Sequence, residues 1–190
     1  GEAVLGNLGL LPAAVADLLR AFPFDFLYGN IAADSSIAKK YAPVGRHCHA
    51  WHVGQEIFDL ARSDALRAFG LGYLSHLAAD TVAHGKFLPR QMTLTRSTVS
   101  FGHIYWELRA DSSIGPHYWT VLGDVLGEVF EEHQALLSQN LTDTFLPFSI
   151  NWRLFYRMNH FVGRRLLRRT MDRWYDLSRW DLSDQLMREY

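Results

Sequence analysis

Apolar residues recur along this chain at steps of three and four, and no stretch alternates apolar with polar at the period of a strand. AAVADLLRAF follows Pro12 and keeps helical spacing until Pro23, which predicts a first helix. Residues 24–35 (FDFLYGNIAADS) read as an ordered aromatic loop around Gly29-Asn30. Asp34-Ser35-Ser36 then cap a short helix over IAKKY that ends at Ala42-Pro43. HAWHVGQEIFDLARS predicts a helix. Asp64 is the expected cap of a long helix running from Ala65 to about His84 and stopped by Gly85. Residues 88–98 read as a connection, and a helix is expected over roughly 101–112 until Gly115-Pro116 breaks it. HYWTVLGDVLGEVFEEHQALLSQ predicts one amphipathic helix, and Asn140 to Pro147 a loop. Residues 151–170 and 172–188 then read as two Arg-rich helices. With no repeats and no low-complexity linker, the pattern predicts an all-α, multi-helix bundle forming a single domain over residues 1–190.

Some polar positions interrupt these apolar faces in a regular way. His76, Asp80 and His84 are successive steps of four, and so are His103 and Glu107. A step of four on a helix returns a side chain to nearly the same face, about 6 Å further along. Two imidazoles and a carboxylate thus form one polar stripe on an otherwise apolar helix, and a second helix repeats the idea. Burying such a stripe without a cation is costly, so a site holding more than one metal is expected. His nitrogen and carboxylate oxygen suit zinc. Asp80 can stand between two ions, with His76 serving one and His84 the other, while His103 and Glu107 complete the second. The first ion needs upstream ligands, and the candidates are Asp34 and the cluster RHCHAWH, with His47, Cys48, His49 and His52. Two ions about 3.5–4 Å apart hold a water of lowered pKa and stabilise a phosphoryl oxyanion. The Glu-x-x-His step of di-iron bundles does not carry this pattern, and HExxH, an adjacent His-Asp doublet, GxSxG and a phosphate loop are all absent.

The bulk numbers narrow the setting. The 190 residues are 48% hydrophobic and 14% aromatic, a globular composition with no sign of disorder. A formal net charge of -1 gives no global pull on nucleic acid or anionic membrane. No apolar run approaches the roughly 20 residues that span a bilayer. Cys48 is the lone cysteine, which excludes an internal disulfide; it reads as a buried thiol or a soft ligand. Residues 151–190 carry nine arginines against five acids, with Trp174 and Trp180, a solvated face or a surface for phosphates and headgroups. The chain opens on Gly1 rather than Met, so an upstream segment is allowed for. The compartment stays open between an exported protein whose leader was removed and a cytoplasmic one.

YGNIAADSS, HCHAW, GYLSHLAADTVAHG and HIYWE, in that order, resemble the zinc-dependent phospholipase C / P1-S1 nuclease family over roughly residues 25–112. The resemblance implies an all-α phosphodiesterase with a trinuclear zinc site. It implies that Asp34 is the first zinc carboxylate and His49 the histidine that follows it, with His47 and His52 as rivals. His76 and Asp80 are similar to the central pair, Asp80 bridging, and His84, His103 and Glu107 to the second zinc's triad. Asp34 and Asp80 are thereby the implied catalytic carboxylates, and Asp111 either steadies a ligand or is a solvated or capping carboxylate. The family's third metal uses an N-terminal Trp and an early His, whereas residues 1–46 hold neither, so two or three ions are expected. His84 also follows Asp80 sooner than in the better-known enzymes, a spacing that fits a continuous helix. The expected activity is hydrolysis of a phosphodiester, first of a phospholipid and less readily of nucleic acid. The alternatives are an inactive metal-binding or lipid-docking domain, or a single-strand nuclease of the same fold.

Overall fold

The regular elements in the computed structural model, which describes residues 1–36, 42–43, 45–113, 116–128, 130–141, 144 and 146–162, are helices, with no strand among the described residues. In chain order they are α1 (Glu2–Leu5), α2 (Ala13–Ala21), α3 (Pro23–Ala32), α4 (Trp51–Asp59), α5 (Asp64–Val82), α6 (Leu88–Thr95), α7 (Val99–Ser113), α8 (Pro116–Gly127), α9 (Glu131–Asn140) and α10 (Phe148–Val162). The fold is all-α, as the patterning predicts. The short helix expected over IAKKY and the Arg-rich helix expected over 172–188 lie outside the described residues. The chain divides into two compact units, one of residues 1–78 and 125–158, the other of residues 79–124 and 159–190.

In the first unit Leu19, Phe26 and Ala68 form a buried cluster, covered by Val4, Leu8, Val15 and Leu71. The segment expected to be a loop is helix α3, begun by Pro23 at a position where proline costs no hydrogen bond. Its Gly29-Asn30 pair is a contact rather than a turn. A Cβ on Gly29 would stand 2.0 Å from the Phe69 carbonyl oxygen, and one on Gly72 would stand 2.0 Å from that of Phe26. The two glycines let α3 and α5 approach backbone to backbone, where Asn30 donates to the Phe26 carbonyl at 3.0 Å. Ser63, not Asp64, caps α5: its hydroxyl accepts from the Leu66 amide at 3.2 Å. Asp64 instead meets Arg67 at 3.1 Å. The single helix expected over 117–139 is two helices, because Phe130 leaves helical geometry to stack on Tyr28 at 4.0 Å, buried between them.

In the second unit Gly85 does not stop the chain. The α-helical ladder widens into a π turn over Ala83–Phe87 and runs straight into α6, where a connection was expected. Pro89 sits in the first turn of α6, again where its missing N–H is harmless. The helix ends at Arg96, whose left-handed φ of 50° reverses the chain toward α7. Phe87, Leu88 and Trp106 form the buried centre, with Met92, Tyr105 and Ala110 packed on it. The Trp106 ring N–H points to the Thr95 hydroxyl at 3.3 Å, tying α7 to the end of α6.

Candidate metal centre

Asp34, His49 and His76 lie far apart in the chain and converge in the first unit. His49 Nε2 is 3.1 Å from Asp34 Oδ1, and His76 Nε2 is 3.7 Å from Asp34 Oδ2. The two imidazole rings lie 5.0 Å apart, tilted by 56°. Three local features place them. The glycine contact fixes α3 on α5, and Asp34 follows within two residues of the end of α3. Tyr73, one turn before His76 on α5, donates its hydroxyl to the Cys48 carbonyl at 2.6 Å, so the turn carrying His49 is held against that helix. The Arg46 guanidinium grips both Glu56 oxygens at 2.8 and 2.9 Å, setting how the turn enters α4. The hydrogen bond from Arg46 holds the Glu56 carboxyl below its ordinary pKa.

The clustered histidines occupy different places. His49 reaches Asp34 and His76, while His47 Nδ1 accepts the His49 backbone N–H at 3.1 Å and so shapes the turn. His52 is exposed on the first turn of α4. Cys48 is buried at 1% exposure, with its carbonyl engaged by Tyr73. Burial, followed by the nearby Cys48 and Asp34, pushes the Tyr73 hydroxyl well above its ordinary pKa, which keeps it a hydrogen-bond donor. Nothing in the spacing of the chain singles out Tyr73; a tyrosine three residues before a ligand is a weak signal in retrospect.

In the second unit His84, His103 and Glu107 converge. Glu107 Oε1 is 3.1 Å from His103 Nε2 and 3.5 Å from His84 Nε2, and the rings of His84 and His103 are 4.8 Å apart. Asp80 Oδ1 reaches His84 Nε2 at 3.1 Å. His84 is thus shared between carboxylates from two helices. It sits in the π turn rather than on the continuous α-helix expected for it, and such turns re-aim side chains at functional sites. Asp111 is exposed near the end of α7.

The donor chemistry and the distances fit zinc at both places. Ligand atoms about 2.0–2.1 Å from a tetrahedral zinc stand about 3.3 Å from one another. The separations within each group, 3.1 and 3.7 Å in the first and 3.1 and 3.5 Å in the second, straddle that value, and in each triad one atom from every residue lies within 4.8 Å of the others. Each triad pairs two imidazoles with one carboxylate, a set that leaves a tetrahedral position open.

Sequence reasoning left His133 unassigned. It is buried in the first unit, 2.9 Å from Asp25, with Tyr28, Phe69 and Phe130 presenting rings edge-on to it. It is a core pair apart from the triads. Its partner lies in a segment that had read as loop, and the two residues are too distant in sequence for spacing to link them.

Among known proteins, the sequence profile of a family described as zinc dependent phospholipase C matches residues 1–142. Comparison with curated proteins and with solved structures gives no match.

Proposed function

Since this chain belongs to the zinc-dependent phospholipase C family, and is on that ground a zinc-dependent, phospholipase-like hydrolase, we propose that it cleaves the phosphodiester of a membrane phospholipid. The observation that carries this reading is the convergence of Asp34, His49 and His76, and of His84, His103 and Glu107, at separations that suit zinc. The ligands we assign are these six with Asp80. Asp80 is assigned to the second group, where its Oδ1 lies 3.1 Å from His84 Nε2.

Zinc, when bound, supplies a water of lowered pKa and neutralises charge on the non-bridging phosphoryl oxygens. The protein's own groups do the rest. The four imidazoles are the nitrogen donors, and the carboxylates of Asp34, Asp80 and Glu107 the oxygen donors. Asp34, whose side chain is 49% exposed, is assigned the further task of accepting a hydrogen bond from the attacking water and orienting it. Water adds to phosphorus, the bond from phosphorus to the glycerol oxygen breaks, and that oxygen takes a proton. The products are a diacylglycerol and a phosphomonoester. Whether two ions or three take part is settled by counting them.

The test is zinc content by mass spectrometry together with hydrolysis of bis-p-nitrophenyl phosphate by wild type and Asp80→Ala. The proposal expects zinc in the active protein and a large loss in the variant. Full activity in metal-free protein contradicts it.

A further inference from the structure

Helix α10 exposes a run of aliphatic residues. Ile150, Leu154 and Met158 follow one another at steps of four and are 42%, 38% and 58% exposed. Such a stripe lies along one side of a helix, and the adjoining Asn151 and Phe155 are buried. Arg153 and Arg157, also one turn apart and exposed, flank the stripe. Beyond them a groove of about 690 Å³ opens between α9 and α10, walled by Phe148, Trp152 and Tyr156 with the two arginines at its edge. Tyr156 anchors this wall by donating to the Leu126 carbonyl at 3.0 Å. The sequence of α10 contains no carboxylate, and the α9 residues that face the groove (Gln134, Ala135, Ser138) are uncharged.

Three exposed aliphatic side chains, two cations beside them and an aromatic-lined cleft match a helix that lies in the plane of a lipid surface. The aliphatic residues enter the acyl boundary, the arginine stems follow them with their guanidinium groups on lipid phosphates, and the aromatic rings sit at headgroup level. Facing water, such an apolar stripe is left unburied. No helix among the described residues is long and apolar enough to cross a membrane. We propose that the outer face of α10 and its groove dock the protein on an anionic phospholipid bilayer. The choice of a lipid partner rests on the phospholipase reading above; the face itself is read from its exposed residues and charge.

The experiment sediments the full chain with vesicles of phosphatidylcholine alone and with vesicles in which about a third of the lipid is phosphatidylglycerol. Each basic residue near an anionic surface contributes about fivefold to partitioning, so Arg153→Ala with Arg157→Ala should weaken binding to the anionic vesicles about 30-fold. Leu154→Asp should weaken it too, and raised salt should release the wild type. Hydrolysis of soluble bis-p-nitrophenyl phosphate should be the same in these variants as in wild type. Equal binding to both kinds of vesicle, no binding to either, or unchanged binding by the double variant overturns the proposal. So does a solution dimer that Leu154→Asp dissolves without any vesicle binding. If vesicles bind as expected and the soluble diester is not hydrolysed, the catalytic reading fails and the docking face stands. If the diester is cleaved and vesicles do not bind, only the docking face fails.

Discussion

Asp34, His49 and His76 are drawn from three segments of the first unit and meet only because helices pack. His84, His103 and Glu107 sit on neighbouring elements of the second unit, with the pairs Asp80–His84 and His103–Glu107 joined by single four-residue steps. The two groups offer the same donors at nearly the same separations, yet they depend on different things. The first depends on a close crossing of α3 and α5 and on a tyrosine that pins a turn. The second depends on local helical register, on a π turn that presents His84, and on the packing that brings that turn to α7. A ligand set assembled by packing is open to damage from residues that never touch the metal; the first group has three segments to hold in place, and the second has two, each carrying a pair set by its own register.

That contrast can be broken at several levels. The largest effect is expected from removing zinc altogether with a chelator. Several kcal/mol of transition-state stabilisation is lost, a fall of about 10³-fold in phosphodiester hydrolysis that added zinc restores. Single ligand changes sharpen the comparison: His49→Ala should empty the first group and leave the second filled, and His103→Ala the reverse, as read by zinc stoichiometry.

Gly29→Ala comes next. Its methyl would stand 2.0 Å from the Phe69 carbonyl oxygen, so the helices must separate at a cost of about 1–3 kcal/mol. A melting curve should show the loss, and zinc content should fall at the first group alone. Tyr73→Phe leaves the buried Cys48 carbonyl without its donor, again about 1–3 kcal/mol, and should weaken zinc binding at the first group about 10–100-fold. Equal losses at both groups in either variant would show that the two are not built separately.

The pH dependence has a definite sign. Burial raises the pKa of both Tyr28 and Tyr73 above the ordinary value near 10. A raised folded-state pKa stabilises fully below the unfolded value and is lost as pH rises through the folded one. Stability of the first unit should therefore fall as pH rises beyond about 10, and Tyr73→Phe should remove part of that fall. The smallest effect is expected from His52→Ala, an exposed position where stability should change by no more than about 0.5 kcal/mol, with zinc content unchanged.

How much of this was legible follows the same division. The stripes His76-Asp80-His84 and His103-Glu107 are visible from period alone, and so is the all-helical class. Asp34 and His49 were reachable through the family resemblance, not through spacing, since no local rule connects positions brought together by packing. Local rules also misread three stretches for physical reasons. Gly29-Asn30 looks like a turn, yet Gly29 is there to let another backbone in. Gly85 looks like a helix stop, yet a π turn absorbs it and the chain continues into α6. Phe130 looks like one more apolar position on a long helix, yet stacking on Tyr28 draws it out of the helical path.

Anomalous diffraction at the zinc edge, from crystals of the zinc-loaded chain, tests the central claim most directly. The account predicts one strong peak about 2.0–2.1 Å from His49 Nε2 and His76 Nε2 beside Asp34, and another at that distance from His84 Nε2 and His103 Nε2 beside Glu107. Zinc-loaded crystals with no peak at either group would contradict it.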